Sequence, residues 1–340
     1  MRSVAFGGAL AVSFTLIVTG CSSGASSPGT GPAADATGGA AGVAGGSANN
    51  VSGDTYVFLP KSLNNPYWVD ARKGMEAEAA KLGVKAQFLG PDTDDAAAQV
   101  AIFESILAKK PAGIAVSPND PGSVKSIVAQ ARQAGIPVIA WDGPVPDSQV
   151  QGYIGTDNKT AGERQADALV AAMGETGKVA VVIGSLSATN LNQRLDGLKA
   201  GLAKHPGIQI VATEESGESI ADAQGKAETI LQARSDITGF AGIGGSDLPG
   251  IAGALKSANL CGKVKAVGFD VVPQGVQGMK DGCVSALISQ KPYAMTAQAL
   301  DILVGAHTNK PVQKDGFNVD TGVEVVIPST LDQFQSTAPH

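Results

Sequence analysis

The sequence predicts an α/β protein of two Rossmann-like lobes, each built on a parallel sheet, and three observations carry that prediction. Short apolar runs rich in β-branched residues alternate with stretches of helical period, the alternation begins again near mid-chain, and the fourth strand of each half ends in an Asp, at Asp142 and Asp270. In the first half the expected strands are 56–59, 84–89, 113–117 and 137–141, with helices at 66–82, 94–109 and 121–134 between them. Trp68, Met75, Ala79 and Leu82 recur on one face of the first helix, and Val100, Phe103 and Leu107 on one face of the second. Strand, helix, strand at this spacing is the parallel βαβ unit. From Lys178 onward the strands are 179–183, 208–212, 237–243 and 264–269, followed by a helix at 273–281 and a strand at 284–289. Open parallel sheets place ligands beyond the carboxyl ends of their strands, so Asp142 and Asp270 are expected to face one cleft. Each can alternatively cap the turn or helix that follows it.

Composition narrows the function. The 340 residues are 43% hydrophobic, enough material for two domains of ordinary size. Twenty-five Lys and Arg stand against 31 Asp and Glu, a net charge of -6, so the basic field that phosphate contacts demand is missing and no nucleic-acid partner is expected. Three His and three Cys, without C-x-x-C or H-E-x-x-H spacing, supply no metal motif. There is no G-x-x-x-x-G-K-[ST], and Gly242, Gly244 and Gly245 do not complete G-x-G-x-x-G because Asp247 holds the last place. Ser246 lacks a G-x-S-x-G setting, and His205 and His307 read as surface residues at helix ends. The composition therefore points to binding without covalent chemistry, cofactor or metal.

Residues 1–20 read as a secretion signal, with Arg2 ahead of an apolar run too short to span a membrane comfortably. Val18-Thr19-Gly20-Cys21 is similar to a bacterial lipoprotein signal, cut before Cys21 with lipid attached to its thiol; an ordinary signal peptide with a chance Cys is the alternative. Residues 21–53 are almost all Ser, Gly, Ala, Pro, Thr and Asn and read as a flexible tether, which would span roughly 30 Å. The expected location is outside the cell proper, lipid-anchored to the outer face of the cell membrane.

Lys61-Ser62-Leu63-Asn64-Asn65-Pro66-Tyr67-Trp68, Asp142, Gly268-Phe269-Asp270 and Ser289-Gln290-Lys291-Pro292 together resemble the sugar-binding proteins of bacterial ABC importers, of the ribose-binding-like type I periplasmic binding fold. The likeness runs from Thr55 to about Pro328. It implies two lobes joined by a three-segment hinge, the first of residues 54–156 plus 291–318 and the second of 157–290 plus 319–340, with an ABC permease and its ATPase subunits as partners. It also implies a ligand site made of Lys61, Asn65, Tyr67, Trp68, Asp142, Asn192, Arg194, Asp247, Asp270 and Gln290. Physically the set suits a polyhydroxylated ligand, whose hydroxyls donate to carboxylates and amides and whose C–H faces lie on aromatic rings.

Other roles stay open for several of these residues. Asn65 before Pro66 makes a good helix cap, Trp68 shares a helical stripe with core residues, and Gln290 can be a surface residue at a strand end. Gly143 stands where ribose receptors carry an Arg after the aspartate, and a second cleft Arg of theirs falls near Asn192, with Arg194 in reach only if the alignment slips. Glu218 and the 244–247 turn approach from the second lobe, where only Asp247 is assigned to the site. The expected ligand is therefore another pentose, a hexose or an acyclic polyol. Pro60-Lys61 is also similar to the autoinducer-2-binding branch of the fold, and a lipid-anchored enzyme is the remaining alternative. A sugar-responsive transcription regulator with the same body would carry a helix-turn-helix where this chain has its signal and tether.

Cys261 and Cys283 are expected to form a disulfide. Each lies just before a strand, and the helix between them makes those strands neighbours in a βαβ unit, bringing their starts within the roughly 4.4 to 6.8 Å between Cα atoms that a disulfide needs. Two buried free thiols are the alternative.

Overall fold

The computed structural model describes residues 53–337. The expected signal peptide, Cys21 and the expected tether up to residue 52 lie outside the described residues.

The first lobe opens with β1 (Thr55–Leu59), α1 (Tyr67–Leu82), β2 (Lys85–Phe88), α2 (Ala96–Ala108), β3 (Gly113–Val116), α3 (Pro121–Gln133), β4 (Val138–Trp141) and β5 (Gly152–Gly155). The second follows with α4 (Asn158–Met173), β6 (Thr176–Ile183), α5 (Thr189–Leu202), β7 (Gly207–Glu215), α6 (Ile220–Ala233), β8 (Gly239–Gly242), α7 (Asp247–Ser257), β9 (Lys265–Phe269), α8 (Pro273–Lys280) and β10 (Ala286–Ser289). The chain then returns for α9 (Pro292–His307) and β11 (Phe317–Asp320), and ends with β12 (Glu324–Val326) and α10 (Leu331–Thr337).

The strands form two sheets of matching order, β11-β5-β4-β3-β1-β2 and β12-β10-β9-β8-β6-β7. Pairing is parallel except at the edge of the second sheet, where β12 runs antiparallel to β10. Sequence periodicity did not indicate β5, β11 or β12. They are three or four residues long, and only their sheet neighbours make them strands. β7 also runs past the expected 212, to Glu215, as an edge strand carrying polar Thr213, Glu214 and Glu215 against β6.

Local signals explain the regular parts. β1, β3 and β4 are buried along their whole length, as strands covered by helices on both faces must be. Asp95 and Asp120 cap α2 and α3 by accepting from the backbone N–H groups of Ala98 and Gly122, and Pro121 occupies the first turn of α3, where a missing N–H costs nothing. Apolar clusters flank each sheet, one of them built from Tyr56, Phe58, Trp68, Met75, Trp141 and Leu300. Val272 of the second lobe joins this first-lobe core.

Two features of the second lobe bear on the site. α4 and α5 touch at backbone level, because a Cβ on Gly162 would overlap the carbonyl oxygen of Arg194 and one on Gly197 that of Lys159. Cys261 and Cys283 are bonded, their Cα atoms 4.1 Å apart, at the starts of β9 and β10 and so at the opposite ends of those strands from Asp270 and Gln290.

Candidate functional site

Loops at the carboxyl ends of the first sheet bring one polar group together. Asp142 follows β4 with φ 57°, a left-handed conformation that Asp tolerates better than bulkier residues. Its Oδ1 accepts from the Tyr67 hydroxyl at 2.8 Å and its Oδ2 from Ser117 Oγ at 2.7 Å, while Lys61 Nζ stands 3.9 Å from Oδ2. Burial and the Asp142 and Asp270 carboxylates push the Tyr67 phenol well above its ordinary pKa, so it keeps its proton and donates. The buried amide of Gln99 on α2 holds the loops in register by donating to the carbonyls of Pro60 and Ser117 and accepting from Asn119 N.

In the second lobe the equivalent position is Asp270, at φ 71° after β9. Gln290 Nε2, just past β10, donates to Asp270 Oδ1 at 2.9 Å, and Gln290 Oε1 accepts from Arg194 Nη2 at 2.6 Å. The Arg194 guanidinium is 2% exposed, donates through Nε to Asn158 Oδ1 at 2.8 Å, and lies 4.2 Å from the Phe269 ring centre. Thr156, at the crossing from β5 to α4, also donates to Gln290 Oε1. Burial outweighs the Arg194 charge and the Gln290 bond and pushes the Asp270 carboxyl up to about 6.

Hydrogen bonds span the two lobes. Lys61 Nζ donates to Asn190 Oδ1 on α5 at 2.8 Å, Asn65 Nδ2 to Glu218 Oε2 at 3.3 Å, and Ser187 Oγ to the Asn119 carbonyl at 3.3 Å. Lys61, Asn65, Tyr67, Asp142, Arg194, Asp270 and Gln290 are all buried, so the arrangement is a closed one. Carboxylates and amides from both lobes, with one ammonium and one guanidinium, form a set of donors and acceptors fit for a neutral molecule carrying many hydroxyls. A groove of about 680 Å³ opens against Tyr67, Asp270 and Gln290 between α1 and α8. Among the described residues no cluster of His, Cys, Asp and Glu is suited to hold a metal ion.

Residues 56–311 match the periplasmic binding protein domain. The chain belongs to that family. Among solved structures it is similar to an ABC transporter solute binding protein from Burkholderia graminis C4D1M in complex with D-arabinose, with 34% identity, a TM-score of 0.78, and coverage of 84% of this chain and 98% of that one. A periplasmic solute binding protein from Actinobacillus succinogenes with bound D-allose is 27% identical, with a TM-score of 0.75 over 82% of this chain and 99% of that one. The D-allose-binding periplasmic protein of Escherichia coli K12 is 29% identical over 266 residues, 76% of this chain and 86% of the relative. This periplasmic binding protein is thus a solute-binding component of transport and not an enzyme.

Of the residues singled out from the sequence, Lys61, Asn65, Tyr67, Asp142, Arg194, Asp270 and Gln290 come together here. Asn65 fills two roles, since its Oδ1 accepts from Tyr67 N at the start of α1 while its Nδ2 crosses to Glu218. Asp142 and Asp270 cap no helix: the residue preceding α8 is Val272. Trp68 is 5% exposed and packed edge to face against Tyr67 and Trp141 in the first-lobe core. Asp247 spends both oxygens within its own lobe, accepting from Ser216 Oγ and Gly244 N at 2.6 Å each. Asn192 is a correction. Two residues before Arg194 on a helix is the opposite side, and its amide donates to the Leu186 and Ala188 carbonyls instead of entering the cluster.

Sequence reasoning missed Ser117, Asn190, Thr156 and Asn158. The first two had signals: Ser117 ends a strand as Asp142 and Asp270 do, and Asn190 lies one helical turn before Arg194, on the same face. Thr156 and Asn158 sit at a lobe crossing and belong to no motif.

Proposed function

We propose that this protein captures a monosaccharide or sugar alcohol between its lobes and delivers it to an ABC permease driven by ATPase subunits. The observation that carries the reading is the meeting of Asp142 and Asp270, from matched strand ends of the two lobes, in one buried cluster with Lys61, Arg194 and Gln290. The lobes in this reading are 54–156 plus 291–318 and 157–290 plus 319–340. Ligand contacts come from Lys61, Asn65, Tyr67, Asp142, Arg194, Asp270 and Gln290, with Trp68 and Asp247 supporting them. The relatives that bind D-arabinose and D-allose favour a pentose or hexose. Binding would shift an equilibrium between open and closed lobes, because only the closed form offers both sets of contacts.

Beside Gly143 there is room for the Lys61 stem, and a Cβ at 143 would lie 3.6 Å from Lys61 Cε. The buried Lys61 ammonium beside Asp142 is the observation that keeps an autoinducer-2-type ligand as the second reading. A thermal-shift screen of pentoses, hexoses, polyols and autoinducer-2, followed by calorimetry of the hits, tests both. A sugar or polyol at a hundredfold excess over its Kd should stabilise the fold by about 2.7 kcal/mol. If no sugar or polyol raises Tm, the reading fails.

The family membership supports an extracytoplasmic location. The finer proposal is a lipid anchor at Cys21, supported by Val18-Thr19-Gly20-Cys21 alone. Metabolic labelling with a fatty acid should mark the protein and leave Cys21→Ser unlabelled; an unlabelled wild type would reject the anchor.

A further inference from the structure

Glu218 occupies the turn between β7 and α6 at φ 56°, a left-handed conformation unusual for Glu. The surrounding backbone makes room for it. A Cβ on Gly184 would come within 2.5 Å of its carboxyl carbon, and one on Gly244 within 3.2 Å of Oε2. Although it belongs to the second lobe and is only 8% exposed, it reaches the first, where Asn65 Nδ2 donates to its Oε2. Among the described residues no other hydrogen bond reaches this carboxyl. The groups facing it are Lys61 from the loop after β1, Asp94 from the loop before α2, Asp142 after β4 and Asp247 at the start of α7. That is three acidic groups against one ammonium, and Lys61 Nζ is itself engaged with Asn190. Asp247 shares the Gly244 niche, with Oδ2 at 3.1 Å from the same Cβ position. An anion accepting a single neutral hydrogen bond in such a place is costly, and a proton removes the cost.

We propose that Glu218 works as a neutral carboxylic acid, a positioning residue that clasps the second lobe to Asn65 and makes ligand capture take up a proton. The inference rests on the reading of the protein as a solute receptor. In open lobes the carboxyl meets water and releases the proton; on closure solvent returns it. Burial comes first among the causes that push this group up to about 8, with Lys61 opposing and Asp247, Asp94 and Asp142 adding. Through Asn65 the clasp fixes the start of α1 and hence Tyr67.

Calorimetry with D-arabinose and with D-allose as probes, at about pH 6 and about pH 9, tests the proposal. For wild type, affinity should fall at least about tenfold at the higher pH, and the heat near neutrality should vary with the ionisation enthalpy of the buffer. Glu218→Gln, neutral at every pH, should abolish both the pH dependence and the buffer dependence and restore tight binding at high pH; Glu218→Ala should weaken binding throughout. Buffer-independent heats in wild type, or Glu218→Gln as weak as Glu218→Ala at the lower pH, would overturn the proposal. A second measurement needs no sugar: small-angle X-ray scattering of ligand-free wild type and Glu218→Gln as a function of pH. Because the closed form is the one with the raised pKa, lowering the pH from about 8 should shift ligand-free wild type towards the more compact closed form, and Glu218→Gln should show no such shift. Parallel profiles would sink the role of Glu218, whereas silence of both sugars and of every sugar and polyol in the thermal-shift screen, with diverging profiles, would sink the receptor reading alone.

Discussion

Asp142 and Asp270 show what single residues contribute here. Both hold left-handed backbone conformations at strand ends, a strain on the order of 1 to 3 kcal/mol maintained by the bonds that Tyr67 and Ser117 make to Asp142 and Gln290 makes to Asp270. Charge-assisted bonds from two ligand hydroxyls to each carboxylate are worth roughly 1.5 to 3 kcal/mol apiece. Asp142→Ala and Asp270→Ala should therefore each weaken sugar binding by at least about tenfold to a hundredfold in calorimetry, the worth of one such bond. Unchanged affinity in both variants would remove them from the site. The contrast of Arg194 with Asn192 is equally local, because a helix presents positions 190 and 194 on one side and 192 on the other.

Among the elements, the α4–α5 pair sets where Arg194 stands. Since a Cβ at Gly162 meets the Arg194 carbonyl oxygen, Gly162→Ala must push the helices apart at a cost of roughly 1 to 3 kcal/mol. The expected result is a Tm lower by about 2 to 10 °C together with weaker sugar binding. Gly225→Ala on α6 is the control: nothing lies near its Cβ position, so the substitution should leave Tm unchanged or raise it through better helix propensity. The Cys261–Cys283 bond closes a sequence separation of 22 around α8, and opening it should cost about 3 kcal/mol in the chain-entropy model. Scanning calorimetry with and without reductant should show that loss, with sugar affinity retained because the bond lies at the far ends of β9 and β10 from Asp270 and Gln290.

The whole body carries an acidic burden at its centre. Burial is the first cause that raises Asp94, Glu218, Asp247 and Asp270, so the folded protein holds protons that the unfolded chain would release. For Asp270 that stability is fully present below its ordinary 3.8 and is lost as pH rises through about 6; Glu218 extends the loss to about 8. The exposed Asp236 and Asp281, lowered by hydrogen bonds from Lys178 and Lys256, run the opposite way and are screened by solvent. Sugar-saturated, closed protein should therefore show a higher urea midpoint near pH 5 than near pH 8; the reverse order would mean these carboxyls are ionised in the closed fold. The bonds from Lys61, Asn65 and Ser187 across the lobes are polar, and Val272 adds an apolar contact of the second lobe with the first-lobe core that opening would break.

What the sequence by itself determined was whatever depends on neighbours along the chain. Apolar runs covered on both faces made β1, β3 and β4 legible, and the strand-end rule singled out Asp142 and Asp270 in both halves. The tertiary structure alone decided what depends on partners far away in sequence. β5, β11 and β12 exist because other strands accept them at sheet edges. Trp68 is a core ring because Trp141 stands across from it, and the second amide bond of Asn65 is drawn by a carboxyl 153 positions later. Arg194 enters the site because Gly162 and Gly197 let two helices touch. Periodicity along the chain reports which side of an element is buried, while the identity of the group it meets is set by packing between elements, which no local pattern encodes.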